Sequence, residues 1–223
     1  MQPIAHIHTD FPTKFGVPRQ SGLVDQLTSA IVFEPEFRNP DYLRGIEAWS
    51  HLWLIWQFHH VAPENYSPTV LPPKLGGKTR VGVFATRSPF RPNHMGLTVV
   101  RLLRVEPSAK TGSVLLVTGA DMVDGTPIFD IKPYVPYADS IPGAVDAFAE
   151  TRQAGPLTVV FPEPWRSMIA PDKLAGLAQA LSLNPRPGYQ HDPTRRYGFN
   201  FDHLDVRFTI DGDTLTVVEV VPL

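Results

Sequence analysis

Two arginines lie four residues apart in a proline-containing stretch, ATRSPFRPNHMG, at residues 85–96. A guanidinium group offers a planar fork of N–H donors, so Arg87 and Arg91 suit a carboxylate or a phosphate group. Pro89 and Pro92 stiffen the segment, because each fixes φ and removes a backbone donor. The stretch therefore predicts a stiff anion-binding loop. The alternative is an irregular surface loop with solvated arginines.

Two adjacent histidines, His59 and His60, end an apolar run that starts at Ser50. In a strand, successive side chains point to opposite faces, so we expect the two rings on opposite faces at the strand end. Neighbouring histidines placed in this way do not chelate one metal ion easily, and we predict no metal site. We expect at least one of them to form hydrogen bonds near a ligand.

Three aspartates, Asp121, Asp124 and Asp130, lie in or after the sequence DMVDGT. Within it, Asp124 and Gly125 form a strong turn signal. Each carboxylate is either a solvated turn residue or a contact to a cationic or hydroxyl-bearing ligand.

Several classes of chemistry are excluded by the residues that are missing. The chain has no cysteine, which removes disulfides, thiolate metal sites and a cysteine nucleophile. The sequence GGKT at residues 76–79 lacks the glycine that a phosphate-binding loop needs at position 72, where Pro72 stands, and it precedes a predicted strand. No GxGxxG follows a strand, so neither an NTPase nor a Rossmann cofactor fold is predicted.

The overall charge gives no general basic surface for nucleic acid. The net charge is −2 and the pI is near 6.4. Any RNA contact must therefore come from a local patch, for which Arg186, Arg195 and Arg196 are the candidates. The N-terminal sequence resembles no signal peptide, and no segment approaches the ~20 apolar residues that span a bilayer. We expect a soluble cytoplasmic protein without a membrane partner.

Apolar periodicity predicts mostly strands. The predicted strands are Ile4–His8, Ser50–His60, Val81–Thr86, Leu97–Leu103, Ser113–Gly119, Pro127–Tyr134, Leu157–Phe161, His203–Ile210 and Thr214–Val221. The predicted helices are Asn39–Ala48, Pro171–Leu183 and, as a short helix or a linker, Ala144–Arg152.

The order of these elements predicts a mainly β protein in two parts. Residues 1–145 contain many short strands, few helices and many prolines, which is typical of an antiparallel barrel or sandwich. Residues 155–223 form a smaller α+β domain with one amphipathic helix. The sequence NPRPGY at residues 184–189 is interpreted as a rigid segment, with a plain surface turn as the alternative.

The segment ATRSPFRPNHMGLTVVRL at residues 85–102 resembles the pattern ATRS-x-FRPNP-I/L-G of the TrmO (YaeB or TsaA) family. Other blocks match in the same order and cover nearly the whole chain. They are FGVPRQSGL at 15–23, RGIEAWSHLWLI at 44–55, PPKLGGKTRVGVFATRS at 72–88, DMVDGTPIFDIKPYVPYADS at 121–140 and LNPRPGYQ at 183–190.

The resemblance implies an S-adenosylmethionine-dependent tRNA methyltransferase. Members of the family methylate N6 of threonylcarbamoyladenosine at position 37, beside the anticodon. The resemblance also implies a small antiparallel β-barrel and a homodimer that holds the cofactor near the subunit interface, with the tRNA anticodon loop as partner.

Cofactor contacts are expected at the residues that match the binding blocks of the family. Arg87 suits the cofactor carboxylate, backbone groups of Leu97 and of residues 121–126 suit the adenine edge, and Asp124 suits a ribose hydroxyl or the sulfonium. The full expected set is Pro18, Arg19, Gln20, His59, His60, Arg87, Leu97, Asp121, Met122, Val123, Asp124, Gly125 and Thr126.

A catalytic base stays unassigned, because the carbamoyl group already acidifies the N6 proton. The candidates are His59, Asp124 and Asp130. RNA contacts are expected at Arg91, Asn93, Arg186, Arg195 and Arg196. The chain departs from the family pattern at His94, where proline is common, and at His60, where glutamine is common.

Two other classes of function remain open at this point. One is a non-catalytic RNA-binding barrel, which the modest charge disfavours, since such proteins depend on phosphate contacts. The other is a metal hydrolase built from His6, His8, His59 and Asp121, although no ligand spacing supports it.

Overall fold

The computed structural model describes residues 1–72, 79–147, 155–186, 190 and 192–223. Most of GGKT, the second half of the predicted segment 144–152 and the end of NPRPGY lie outside the described residues. The strands are β1 Ala5–His8, β2 Thr28–Phe33, β3 His51–Gln57, β4 Thr69–Val70, β5 Val81–Gly82, β6 Met95–Ser108, β7 Gly112–Thr118, β8 Thr126–Pro133, β9 Thr158–Val160, β10 Tyr197–Phe201, β11 Leu204–Asp211 and β12 Thr214–Pro222. The α-helices are α1 Pro136–Asp139 and α2 Pro171–Ser182.

Six strands form a closed antiparallel barrel in the order β1-β2-β7-β6-β3-β8. Closure results from β1, which pairs with β2 through Ile7 and Ile31 and with β8 through Ala5 and Ile128. Because strand residues alternate between faces, every second side chain points into the barrel. In β3 these are Leu52, Leu54 and Trp56, all buried.

A second, smaller sheet has the order β10-β11-β12-β9, and α2 packs on it. Helix α2 buries Leu177, Ala180 and Leu181 against an aromatic core that contains Phe199, Phe201 and Phe208. This core is separate from the barrel core, which contains no residue beyond Ile131.

The long connection between β1 and β2, residues 9–27, packs its buried apolar side chains into the core of the second sheet. Phe11, Val24 and Leu27 are buried in the aromatic core. Gly16 has a φ of +93° and lies so close to the ring of Phe199 that a Cβ atom would come within 2.4 Å of it. Only glycine combines this backbone conformation with this contact.

A half-buried lysine reinforces the same junction. The Nζ of Lys173 on α2 lies 2.6 Å from Asp10 Oδ1 and 2.9 Å from Asp202 Oδ2. Burial tends to lower the pKa of Lys173, but the hydrogen bonds and charges of Asp10 and Asp202 outweigh it and hold this pKa above its usual value. The connection, the helix and the β10–β11 hairpin are therefore joined at one point.

The prediction of a mainly β protein is confirmed. Seven predicted strands and one predicted helix correspond to elements of the structure. The strands are β1, β6, β7, β8, β9, β11 and β12, predicted to start at Ile4, Leu97, Ser113, Pro127, Leu157, His203 and Thr214, and the helix is α2, predicted from Pro171. Three strands were not predicted, β2, β4 and β10. Among the described residues, no helix has the length and apolar character to cross a bilayer.

Two predicted elements are wrong in part. The strand expected over Val81–Thr86 stops at Gly82, because the N–H and hydroxyl of Thr86 both bond to the carbonyl of Val83 and close a 3-10 turn. The helix expected over 39–48 is two 3-10 turns, Pro40–Leu43 and Ile46–Ala48, separated at Gly45 with φ +85°. In the segment expected as a short helix or a linker, the described residues 144–147 are not helical, which is consistent with the linker.

The contact between Gly16 and Phe199 gives a stability prediction. We expect Gly16→Ala to be more destabilising than Gly22→Ala, the matched control. Both glycines have positive φ, so each alanine costs about 1–2 kcal/mol of backbone strain. A Cβ atom at residue 22 meets nothing within 4 Å, whereas at residue 16 it displaces a buried ring, which costs about 1–3 kcal/mol more.

Thermal unfolding of the two variants tests this prediction. For a chain of this size, the additional cost corresponds to a melting temperature lower by roughly 2–12 °C in Gly16→Ala than in Gly22→Ala. Equal melting temperatures would show that the connection does not depend on the ring contact.

Candidate functional site

A cleft of about 710 Å³ lies on the outside of the barrel, beside the β1–β2 connection. Its floor is formed by β3 and β6, and its sides by the β1–β2 connection, the turn after β3, the loop before β6 and residues 121–126. The lining residues are Lys14, Val17, Pro18, Arg19, Gln20, Trp53, Ile55, Trp56, Phe58, His59, His60, Val61, Thr86, Arg87, Pro89, Arg91, Met95, Gly96, Leu97, Asp121, Met122, Val123 and Thr126.

Most of the expected cofactor residues meet in this cleft, although they come from five separate segments. Those that line it are Pro18, Arg19, Gln20, His59, His60, Arg87, Leu97, Asp121, Met122, Val123 and Thr126. Asp124 and Gly125 do not line it. The Asp124 carboxylate accepts the N–H of Thr9 at 3.0 Å and lies 3.2 Å from His8 Nδ1.

Four cations line the cleft, and each is held by neutral oxygen atoms. Arg87 donates to Gln20 Oε1 at 2.6 Å, and Arg91 donates to the carbonyl of Thr86 at 3.1 Å. Lys14 donates to the carbonyl of His60 at 3.1 Å, and Arg19 donates at 3.3 Å to two carbonyls in the turn after α2. Among the described residues, none of the four forms a salt bridge. Their positive charges are therefore available to an anionic ligand.

Arg19 connects the cleft with the second sheet. Its Nη2 donates to the carbonyl oxygens of Asn184 and Arg186. Burial lowers the pKa of Arg19 from its ordinary value, although a guanidinium stays protonated at neutral pH.

A one-way chain of hydrogen bonds leads from the barrel core to Asp121. The indole N–H of Trp56 donates to Thr98 Oγ1 at 2.9 Å, so the Thr98 hydroxyl donates to Asp121 Oδ1 at 2.7 Å. Burial raises the pKa of Asp121, against the opposing effects of the Thr98 hydroxyl and of the positive charge of Arg87. Among the described lining residues, Asp121 is the only carboxylate.

Gly96 makes room for the indole ring of Trp56, the first donor in this chain of hydrogen bonds. A Cβ atom at residue 96 would lie 2.2 Å from the ring of Trp56, so only glycine lets the indole lie flat against β6. Trp56 also contacts Phe58, with ring centres 4.3 Å apart. The two rings give the cleft an apolar wall.

The two histidines do not lie at a strand end on opposite faces, and that prediction is wrong. β3 ends at Gln57, and the N–H of His59 bonds to the carbonyl of Gln57, which turns the chain. Both rings therefore face the cleft, with centres 4.1 Å apart. Burial lowers the pKa of His59, and positive charge from His60, His6 and Lys14 lowers it further.

His59 has one side-chain partner at the cleft. Its Nδ1 lies 3.4 Å from Thr126 Oγ1, whose hydroxyl donates to the carbonyl of Val123 at 2.7 Å. The threonine oxygen is thus free to accept a weak N–H bond from the imidazole. This contact keeps the ring near the turn that starts β8.

The other base candidate lies elsewhere. Asp130 does not line the cleft; it pairs with Lys132 at 2.7 Å and accepts the N–H of Ile131 at 2.9 Å. The four residues considered for a metal hydrolase are also dispersed, since His6 binds Glu34 and His8 binds Asp124. The described residues contain no cluster of three metal-ligating side chains.

The expected RNA-binding residues fall into two groups. Arg91 lines the cleft, and Asn93 is exposed beside it. The second group lies outside the cleft. Arg186 is in the turn whose carbonyls bind Arg19. Arg195 and Arg196 are exposed at the start of β10, and the Arg195 guanidinium lies 5.6 Å from the ring centre of Tyr197.

Sequence reasoning missed several lining residues. The missed Trp53 and Ile55 form an outer apolar surface with the expected residue Leu97, and the apolar residues on both faces of β3 were the available signal. Lys14 and Met95 carried no such signal, because only the folded connection and the start of β6 bring them to the cleft.

Comparisons with known proteins cover both parts of the chain. The family model for the tRNA-methyltransferase O N-terminal domain matches residues 6–140, and the model for the TrmO C-terminal domain matches residues 156–223. A tRNA (adenine(37)-N6)-methyltransferase of Escherichia coli K12 is 35% identical over 230 residues, covering 99% of this chain and 97% of that protein.

Two further relatives come from Pseudomonas aeruginosa. One, provisionally named an S-adenosylmethionine-dependent methyltransferase, is 37% identical over 216 residues, covering 93% of this chain and 91% of its own length. The other is a crystal structure of TrmO, which superposes with a TM-score of 0.80 at 34% identity over 99% of this chain and 95% of that one. The chain therefore belongs to the TrmO family.

Proposed function

We propose that the protein transfers the methyl group of S-adenosylmethionine to N6 of threonylcarbamoyladenosine at position 37 of tRNA, within the anticodon loop. The observation that carries this proposal is the convergence of residues 18–20, 59–60, 87, 97, 121–123 and 126 in one cleft. Relatives over the full length of the chain are named for tRNA adenine-37 N6 methylation and for dependence on S-adenosylmethionine.

The residues of the cleft fit this cofactor. Its volume of about 710 Å³ is in the usual range for a small-molecule site. Apolar side chains such as Phe58 and Val61 suit the adenine ring, and the unpaired guanidinium of Arg87 suits the carboxylate. Backbone groups of Leu97 and of residues 121–126 are the proposed adenine contacts. When bound, the cofactor supplies an electrophilic methyl group on a sulfonium.

The charge of the cleft supports a second, anionic ligand. S-adenosylmethionine carries a carboxylate, an ammonium and a sulfonium, so its net charge is positive. Lys14, Arg19, Arg87 and Arg91 face only Asp121 as a carboxylate among the described lining residues. The excess of positive charge is therefore better matched when a phosphate of tRNA or the carboxylate of the threonylcarbamoyl group also enters.

The contribution of the protein to catalysis is mainly positioning. Methyl transfer requires that nucleophile, methyl carbon and sulfur lie in line, and fixed alignment of this kind supplies ~7–11 kcal/mol. The rigid floor of β3 and β6 and the loop that carries Arg87 and Arg91 supply this alignment. Of the three base candidates, only His59 lines the cleft, and its lowered pKa makes it a neutral imidazole that can accept a proton.

We propose a homodimer that buries the outer apolar surface next to the cleft. Trp53 and Ile55 lie on the face of β3 opposite to the buried Leu52 and Leu54. Leu97 pairs with Ile55 across the strands and is 57% exposed. An apolar surface of this kind beside a ligand site is suited to a second copy of the chain.

We further propose two domains, 1–145 and 155–223, in a cytoplasmic protein. The separate apolar cores and the two family matches, which end at 140 and begin at 156, support this division. A cytoplasmic location follows from the tRNA substrate. The alternative, an RNA-binding barrel without catalysis, accounts less well for a small-molecule cleft in a chain of net charge −2.

Methyl transfer from labelled S-adenosylmethionine tests the function directly. The acceptors are two forms of one threonine-decoding tRNA, with and without the threonylcarbamoyl group on adenosine 37. We expect label only on the modified form. Cofactor binding without label on either form would refute the substrate, and absence of cofactor binding would refute the methyltransferase.

Arg87→Ala tests the anchoring of the carboxylate. We expect it to weaken cofactor binding about tenfold to a hundredfold in calorimetry, since a charge-assisted hydrogen bond is lost. Arg80→Ala is the matched control, because Arg80 bonds to Thr69 Oγ1 and does not line the cleft. Equal losses in both variants would argue against a specific role of Arg87.

Combined substitution of Arg195 and Arg196 by alanine tests the RNA contact. We expect a higher KM for tRNA and a salt dependence of binding that falls by about two units of slope, with unchanged cofactor affinity. Arg104→Ala is the control, because Arg104 is paired with Glu106 on the barrel. An unchanged salt slope in the double variant would exclude this surface.

Leu97→Asp tests the proposed dimer. A carboxylate in an apolar interface is costly, so we expect a monomer in light scattering, and weaker cofactor binding because the cleft adjoins the interface. Leu103→Asp, also on β6 and 40% exposed but outside the cleft, is expected to remain dimeric. A dimeric Leu97→Asp variant would place the interface elsewhere.

A further inference from the structure

His94 is a buried residue whose role is not explained by ligand contact. It is 3% exposed and does not line the cleft. It stands where the TrmO family pattern has proline, and its φ is +49°. Proline cannot adopt this conformation, because its ring fixes φ near −65°. The loop before β6 therefore follows a path here that requires another residue.

The imidazole of His94 lies between two backbone carbonyl groups. Its Nδ1 is 2.8 Å from the oxygen of Pro89, and its Nε2 is 3.2 Å from the oxygen of Pro63. A carbonyl oxygen only accepts hydrogen bonds, so the ring nitrogens must donate. A neutral imidazole satisfies one of the two carbonyls at a time, and an imidazolium satisfies both.

The two carbonyls belong to different walls of the cleft. Pro89 lies between Arg87 and Arg91 in the loop before β6, which we call the arginine loop, residues 86–91. Pro63 ends the turn after β3, which we call the histidine turn, residues 58–63; its residues 58–61 line the cleft. The backbone adds to this link, since the N–H of Phe58 donates to the carbonyl of His94 at 2.8 Å.

We infer that His94 is a positioning residue: its imidazole joins the arginine loop to the histidine turn and thereby fixes the distance between the cationic and the imidazole groups of the cleft. The arginine loop has its own internal bonds, in which Arg91 donates to the carbonyls of Thr86 and Ser88. It therefore moves as a unit, and His94 sets where that unit lies.

This inference rests on the proposed function only in that the cleft binds S-adenosylmethionine. If a rigid link between the walls preorganises the cleft, its loss lowers cofactor affinity without removing any group that touches the ligand. A merely structural residue would lower the melting temperature and leave the affinity of the folded protein unchanged.

Three substitutions separate the two contacts. His94→Phe keeps a ring and loses both donors. His94→Asn places an amide near the position of Nδ1, next to Pro89, and asparagine tolerates positive φ. His94→Gln places its amide near the position of Nε2, next to Pro63. His203→Phe is the control, because His203 is exposed at the β10–β11 turn and contacts Asp202.

The readouts are cofactor affinity by calorimetry and, separately, the melting temperature. We expect His94→Phe to bind S-adenosylmethionine about tenfold or more weakly, and the Asn and Gln variants to lie between it and the wild type. His203→Phe is expected to bind like the wild type.

Two results would overturn the inference. One is a folded His94→Phe variant with wild-type affinity, and the other is equal weakness of all three variants, since the donors would then be irrelevant. If His94→Phe does not fold, the Asn and Gln variants decide, because wild-type affinity in both would show that the bridge is not needed. A wild-type protein that does not bind the cofactor would instead contradict the proposed function.

Discussion

The packing of the β1–β2 connection onto the second sheet determines the shape of the cleft. Phe11 enters the aromatic core of that sheet, and Gly16 lies against the ring of Phe199. This places residues 17–20 beside the barrel, where Gln20 accepts a hydrogen bond from Arg87. The strands of the barrel supply the floor, and the loops that join them supply further sides. The shape of the cleft therefore depends on both sheets, although every described lining residue lies between Lys14 and Thr126.

The cleft has four cationic side chains, which attract anions, and one carboxylate among its described lining residues. Carbonyl and amide oxygens orient the four cations without neutralising them. Asp121 is held instead by the chain from Trp56 through Thr98, which starts in the barrel core. Burial makes the charged form of Asp121 costly in the folded protein and thereby raises its pKa. A positively charged group of a ligand would offset that cost.

Periodicity predicted the strands well where one face is buried, as in β6, β7 and β12, because alternation is a direct consequence of burial on one side. It failed at Val83, where a local bond to Thr86 closes a 3-10 turn, and at Gln57, where the chain turns before the histidines. The family motifs indicated most of the cleft. They did not indicate Lys14, because its place depends on the long connection. Asp124 was expected at the ligand, but its carboxylate accepts the N–H of Thr9 and does not line the cleft.

The most direct test of this account is a crystal structure with S-adenosylhomocysteine, the product of the cofactor. We predict that the ligand lies between residues 17–20, the arginine loop and residues 121–126, with its carboxylate within hydrogen-bonding distance of Arg87. A ligand bound elsewhere, or bound with its carboxylate remote from all four cations of the cleft, would contradict the account.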